Sequence, residues 1–284
     1  MKRIMIVPNP NKDKELNITR KTVEKLLGLG FTVNMNEEYS GYAIPSVNYV
    51  SDAAVVSELI IVIGGDGSVI DASLDAVRAD IPLLGINLGK VGYLSEVEPG
   101  EADILSRLAS GEYKIVERML LSAKKYDITG EITPSARLAV NDVIITNDLC
   151  SIADMAVENS QGDLIRYRAD GVTVATPIGS TAYSLSAGGP VVSHNIDSII
   201  VTPVCPHSLF NRSIIFEPNE FIRVTNKSEN ALSVGMDGRA FAKLSCGECV
   251  VIKRSEKRLK MLTFTENKML SALFKKIRAL EESV

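Results

Sequence analysis

The chain has 284 residues, 45% of them apolar, and a formal net charge of −4. That length allows one large domain or two modest ones around a sizeable core, and the charges are interspersed, so no basic stripe argues for nucleic acid or a membrane surface and a small ligand is expected. No apolar run approaches the roughly 18 residues of a spanning helix, and Met1-Lys2-Arg3 leads straight into Ile4-Met5-Ile6-Val7 without a signal-like region, which predicts a soluble, cytoplasmic protein.

In chain order, residues 4–7, 31–34, 59–63 and 83–87 read as strands, while 16–29 and 69–78 carry helical spacing. That alternation predicts an α/β domain, a Rossmann-like parallel sheet covered by helices. From about Leu120 the texture changes to short alternating strands separated by polar turns, over 139–146, 154–157, 172–176, 199–202, 214–216, 221–224, 232–234 and 249–252. This half should be mostly β and sandwich-like, with the boundary near residues 115–120. The end returns to a helix with Thr265 as N-cap and Met269, Leu270, Leu273, Ile277 and Leu280 on one face. Four scattered cysteines make no disulfide framework, and Cys246-Gly247-Glu248-Cys249 lacks the second pair that a zinc site needs.

The run Val62-Ile63-Gly64-Gly65-Asp66-Gly67-Ser68 places one carboxylate among three glycines where a strand gives way to a helix. The glycines permit positive φ and close approach to a ligand, Ser68 can cap the helix, and the helix start suits phosphate oxygens. Beside phosphates Asp66 makes sense as a base or orienter for an attacking hydroxyl, or as a Mg²⁺ ligand. As a turn residue held by its own side-chain hydrogen bonds it is equally well explained. Other phosphate signatures fail. Only three residues separate the glycines of Gly85-Ile86-Asn87-Leu88-Gly89-Lys90-Val91, and Val91 stands where a P-loop needs a hydroxyl. Gly28-Leu29-Gly30 follows a helix and precedes a strand, the reverse of the dinucleotide fingerprint.

A second dense stretch runs from Arg168 to Pro190, where a strand enters Pro177 and Gly179 and Ser180-Thr181 can cap a short helix through Leu185. Its hydroxyls and amides suit a nucleotide's base and ribose, with Tyr183 as a stacking plate, or the stretch is a capped helix with a structural tyrosine. Asn141-Asp142 offers groups suited to sugar hydroxyls and also reads as a turn.

Gly64-Gly65-Asp66-Gly67-Ser68, Asn141-Asp142, the 168–190 block and Pro203-Val204-Cys205-Pro206-His207-Ser208-Leu209 stand in the same order as the motifs of the ATP-dependent or polyphosphate-dependent NAD kinases, a family that the chain resembles over most of its length. The first motif is shared with phosphofructokinases and lipid kinases; the Thr176–Pro190 block is the specific one. The resemblance implies phosphorylation of the 2′-hydroxyl of the adenosine ribose of NAD, giving NADP, with ATP or polyphosphate as donor and Mg²⁺ as the ion, its ligands unassigned. It implies a cleft between a nucleotide-binding α/β domain (1–118 with a returning segment, 262–284) and an all-β NAD-binding domain (119–261). A homodimer or homotetramer is implied too.

Position by position, the resemblance makes Asp66 the proton acceptor and Gly67 a backbone contact to substrate. Asn141 and Asp142 match the pair on the adenosine side, and Thr181, Ala182, Tyr183, Ser184, Leu185 and Ser186 match the segment cradling adenine and the nicotinamide half. Arg168 and Asp170 match positions near the other end of the dinucleotide, Cys205 a small residue whose backbone lies near the base, and Arg239 a position where glutamine is common. Asp142 replaces the usual glutamate, Ile178 a threonine, and Ser68 a frequent threonine; the shorter Asp142 reaches one methylene less. The rivals are a kinase of a sugar phosphate or lipid, for which no second Thr-Ile-Asp-type motif or basic apolar segment is found, and a non-catalytic dinucleotide sensor, against which Asp66 speaks.

Overall fold

The computed structural model describes residues 1–89, 92–130, 136–147, 151–207, 210–265 and Phe274. They fall into two compact units, Met1–Glu117 with Leu259–Val284, and Arg118–Arg258.

The first unit begins β1 (Arg3–Pro8), α1 (Asn17–Gly28), β2 (Thr32–Asn36), β3 (Val47–Val50), β4 (Leu59–Gly64), α2 (Asp66–Ala79), β5 (Leu83–Asn87), α3 (Ser106–Ser110) and β6 (Lys114–Arg118). β4, Leu-Ile-Ile-Val-Ile-Gly, is buried along its whole length, as a parallel strand covered on both faces must be. The carboxylate of Asp13 accepts from the amides of Ile18 and Thr19 at 2.9 and 2.8 Å, which satisfies two of the orphan donors at the start of α1. Past its end Gly30 takes φ +84°, the left-handed stop that Gly28-Leu29-Gly30 predicts.

The second unit holds β7 (Leu121–Tyr126), β8 (Arg137–Ala139), β9 (Asp142–Asn147), β10 (Ala153–Asn159), β11 (Leu164–Ala169), β12 (Gly171–Ala175), α4 (Tyr183–Ser186), β13 (Ile199–Val204), β14 (Ile214–Phe216), β15 (Phe221–Asn226), β16 (Leu232–Met236), β17 (Arg239–Leu244) and β18 (Cys249–Arg254). They make two six-stranded sheets, β11-β10-β15-β18-β7-β8 and β14-β13-β12-β9-β16-β17. Alternate residues of both, among them Leu121, Val143, Met155, Val174, Ile222 and Val234, share one apolar core, the arrangement of a β-sandwich. The chain then returns as β19 (Leu259–Thr263), completing the first unit's sheet in the order β3-β2-β1-β4-β5-β19-β6. The return starts at Leu259, three residues before the expected 262.

One feature in each unit positions candidate residues. β1 is followed outward by β2 and β3, and β4 by β5 on the opposite side, so the strand order reverses between β1 and β4, the point in open parallel sheets outside whose carboxyl ends ligands bind. In the sandwich the strand expected over 139–146 is two strands, β8 and β9, interrupted at Val140-Asn141 and placed in different sheets. Strands β3, β6, β7, β11, β17 and β19 were not anticipated. β6 presents only exposed or half-buried residues, and without a buried face the period-2 signal fades; β11 does turn Ile165, Tyr167 and Ala169 to the core, but Arg166 and Arg168 alternate with them and Leu164 at its start is exposed. Of the expected terminal helix after Thr265 only Phe274, helical and exposed, is among the described residues. Thr265 itself donates its hydroxyl to Glu96 at 2.8 Å and its amide to the same oxygen at 3.1 Å.

Candidate active site

At the reversal point of the first unit, Asn9 follows β1 and donates its amide N–H to the Ile63 carbonyl at 2.9 Å and its side-chain Nδ2 to Ser68 Oγ at 2.7 Å. Helix α2 starts at Asp66 with Gly65 as its N-cap, three residues before the expected 69. The expectation that Ser68 caps the helix is therefore corrected: it lies inside the first turn and its hydroxyl ties that turn to Asn9. Gly64, Gly65 and Gly67 do not take positive φ. Gly64 is needed for space, since a Cβ there would lie 2.5 Å from Ser68 Oγ. A Cβ on Gly65 would meet Lys12 Nζ, and one on Gly89 would come 3.8 Å from it. The start of α2 thus has bare amides, a positive dipole end and one exposed ammonium beside it, a setting for phosphate oxygens.

Asp66 is half-buried and its carboxylate is aimed by another loop. Oδ1 accepts from the amides of Tyr93 and Leu94 at 3.0 and 3.1 Å, and Oδ2 from Tyr93 at 3.1 Å. These partners lie 27 and 28 residues downstream, so the acid is held by the loop after β5 instead of by its own turn. Burial and the nearby Asp66 charge raise the Tyr93 hydroxyl above its ordinary range.

In the second unit the sequence-singled residues gather at the two ends of β12. At its start Gly171 pairs with Val204 of β13 and Thr146 of β9. There the Asp170 amide donates to the Val204 carbonyl at 3.0 Å and the His207 amide to the Arg168 carbonyl at 2.7 Å. Arg168, Asp170 and Cys205 are therefore brought together, all three exposed. Arg168 Nε lies 3.2 Å from Asp154, and Cys205 has φ +47°. Of the motif that follows, Ser208 and Leu209 lie outside the described residues.

At the other end Ala175 pairs with Asp142, and β16 pairs with β9 so that Met236 faces Val143. Asn141 and Asp142 meet the 176–186 segment there. The Asn141 carbonyl accepts from the Thr176 amide at 2.8 Å, and Thr176 Oγ1 donates to the Val140 carbonyl at 2.6 Å. Asp142 is 3% exposed. Burial first, then the negative charge of Asp237, push its carboxyl up to about 7, with the Tyr183 amide bonding to it and opposing the shift. Ser180-Thr181 does not cap one helix through Leu185, as expected; Gly179–Thr181 is a separate 3-10 turn and α4 has Ala182 as its N-cap. The two hydroxyls turn inward to the carbonyls of Pro177 and Ile178 at 2.6 and 3.0 Å. Ser184 Oγ pairs with Thr202 Oγ1 at 3.1 Å. Thr181 thus spends its hydroxyl on its own turn and Ser184 on β13, and Ala182 is half-buried, while Tyr183, Leu185, Ser186 and Arg239 are exposed.

Sequence reading missed two groups here. Lys12 follows the turn Asn9-Pro10-Asn11, a loop start after a strand that gives no hint of its destination. Asp237 sits with Gly238 between β16 and β17, at φ +48° and +75°, the conformation of a type I′ hairpin turn. The Asp-Gly pair between two strands was the available signal.

Two family models match, residues 4–113 the ATP-NAD kinase N-terminal domain and residues 140–264, which run on through β19, the ATP-NAD kinase C-terminal domain. The NAD kinase of Thermoanaerobacter sp. (strain X514) is 37% identical over 264 residues, 90% of this chain and 91% of that protein. The chain belongs to the ATP-NAD kinase family. The NAD kinase of Natranaerobius thermophilus is 35% identical over 99% of this chain and its own whole length. Among solved structures, yeast NADH kinase complexed with NADH has a TM-score of 0.86 at 23% identity, covering 96% of this chain and 86% of that one. An NAD kinase from Archaeoglobus fulgidus in complex with ATP has a TM-score of 0.72 at 24% identity, covering 97% and 98%. The two-domain fold, an α/β domain with a parallel sheet and a mostly-β domain, is the one these NAD(H) kinases share.

Proposed function

We propose that this chain transfers the terminal phosphoryl group of ATP to the 2′-hydroxyl of the adenosine ribose of NAD, giving NADP, with Asp66 as the proton acceptor. The observation that carries the reading is the placement of Asp66: a carboxylate aimed by three backbone hydrogen bonds, at the start of a helix whose amides and neighbouring Lys12 suit phosphate. A ribose hydroxyl is too weak an acid to ionise beforehand, so Asp66 accepts the proton as the new bond to phosphorus forms. Alignment and charge neutralisation supply most of the rate. Gly67, exposed beside Asp66, leaves its backbone open to substrate.

The all-β unit is the NAD-binding domain in this reading, and the α/β unit takes the donor. The two clusters at opposite ends of β12 are five residues apart, about 16 Å of extended strand, which suits a long ligand with two polar ends. Asn141, Asp142 and Arg239 serve the adenosine side, and the 181–186 segment cradles adenine and the nicotinamide half. Arg168 and Asp170 serve the other end, and the Cys205 backbone lies near the base.

Among the described residues no three His, Cys, Asp or Glu side chains gather as a metal cage. One hard carboxylate at a phosphate-binding turn fits an ion held chiefly by the donor's phosphate oxygens and water, as Mg²⁺ commonly is. The donor's phosphates and water would hold the ion, which leaves the Asp66 carboxylate for the proton, and when bound the ion neutralises charge on the transferring phosphoryl group. We also read the chain as a cytoplasmic homodimer or homotetramer. Among the described residues no helix is long and apolar enough to cross a membrane, and β14, at a sheet edge, exposes Ile215.

The test is NADP formation from NAD, ATP and Mg²⁺ by wild type and Asp66→Asn. Asparagine keeps the shape and one accepting oxygen, so NAD binding by calorimetry and Tm stay near wild type while kcat falls by about 10²–10⁴. A variant within about tenfold of wild type at saturating substrates defeats the assignment.

A further inference from the structure

The interruption between β8 and β9 is built, and the group that builds it is not one to which the family resemblance gave a role. Asp237, at the tip of the β16–β17 hairpin, turns its carboxylate onto three consecutive backbone amides: Oδ2 accepts from Val140 at 2.7 Å, and Oδ1 from Asn141 at 2.7 Å and Asp142 at 3.2 Å. Its own amide donates back to the Asp142 carbonyl at 3.1 Å. The carbonyl side of the same segment is held by Thr176, whose amide reaches Asn141 O and whose hydroxyl reaches Val140 O. Gly179 passes so close that a Cβ on it would overlap Asn141 O and stand 2.5 Å from Asn141 C and 2.8 Å from its Cα. Val140, Asn141 and Asp142 therefore have no freedom to straighten into a continuous strand.

We propose that Asp237 is a positioning residue for NAD: by holding these three amides it breaks the strand at Val140-Asn141 and fixes the directions in which the Asn141 and Asp142 side chains leave the backbone. This rests on the reading above, in which that pair receives the adenosine side of the substrate. Three geometric facts support it together. An ionised carboxylate is the strongest acceptor available to a row of amides. The hairpin that carries it is anchored by five register pairs to β9, the strand that Asp142 opens. An Asp-Gly type I′ turn needs no such bonds to form, because positive φ at both residues is already suited to Asn or Gly, so the three long-range bonds are additional to the turn.

That last point supplies the experiment. Asp237→Asn and Asp237→Gly both keep a favoured I′ turn, as Asn-Gly and Gly-Gly. The first puts an NH₂ where a carboxylate oxygen met amides; the second removes the acceptor altogether. Steady-state kinetics with NAD and ATP are measured for wild type, both variants and Asn141→Ala, with Tm and NAD calorimetry alongside. If Asp237 positions the pair, KM for NAD and Kd for NAD rise about tenfold or more in Asp237→Gly and somewhat less in Asp237→Asn, while kcat and KM for ATP change less than threefold, the pattern of lost ground-state binding. If Asp237 is only a turn residue, KM for NAD stays within twofold of wild type even where Tm drops, and the proposal is overturned. Asn141→Ala separates the two levels. A raised KM for NAD there with none in Asp237→Gly sinks the Asp237 proposal alone, whereas no change in either removes the reading of the Asn141-Asp142 pair and the proposal with it. A variant that melts below assay temperature is assayed by calorimetry at 10 °C, where the same comparison of Kd decides.

Discussion

Asp142 and Asp237 place two carboxyl groups in one corner of the sandwich, and the corner responds to pH. Burial and the Asp237 charge hold Asp142 up at about 7, and burial raises Asp237 as well, against the pull of its three amides and Arg239. A carboxyl with a raised native pKa binds its proton more tightly folded than unfolded. Asp142 therefore costs nothing below the unfolded value near 4, and its cost grows as pH rises toward 7. Asp142→Asn removes that cost and keeps an oxygen for the Tyr183 amide. We expect it to melt a few degrees above wild type at pH 8, from a gain on the order of 1–3 kcal/mol, with the difference shrinking to nothing near pH 4; a Tm gap independent of pH contradicts the assignment. At this scale Asp66, Asn141 and Asp142 stood out as candidates because each sits in a short motif, although the loop that aims Asp66 lies 27 and 28 residues downstream. Asp237 was not, because its partners lie 95–97 residues earlier and no spacing rule reaches that far.

Elements formed where the apolar pattern was strong and broke where long-range bonds opposed it. β4 and β12 are buried throughout and were found to within a residue. The 139–146 stretch carries the same pattern, yet it is cut at Val140-Asn141 by Asp237 from one side and Thr176 from the other. Likewise, hydroxyls that looked like caps serve other bonds: Ser68 reaches Asn9 and Ser180 reaches Val192, while Thr181 turns back to the Ile178 carbonyl. Gly179→Ala tests the cut directly. Its Cβ would overlap the Asn141 backbone, which is not a movable side-chain tip, so we expect a loss of about 1–3 kcal/mol in urea unfolding and a higher KM for NAD. A neutral outcome in both would mean that Asn141 is free to move aside.

For the whole molecule, the division into an α/β unit and a β-sandwich was legible because period and composition change near Leu120. Strand order and register were not, since they depend on which apolar faces meet. Assembly is the property of this scale that function tests. If the chain works as a homodimer or homotetramer, dilution into the nanomolar range lowers specific activity in step with the mass seen by light scattering. A monomer that keeps full activity refutes it.

The return of the chain as β19 also sets a timetable for synthesis. β19 stands between β5 and β6 in the finished sheet, so when the ribosome has made β6 the slot beside it is vacant, and it stays vacant until the entire sandwich has been translated. The sandwich, continuous in sequence, has all its strands in hand first. On a growing chain the later unit can reach its native pairing before the earlier one. Until then β5 and β6 are open edges of the kind that invite wrong partners. A stalled or prematurely terminated message would release a chain with a finished sandwich and a sheet still lacking its sixth strand.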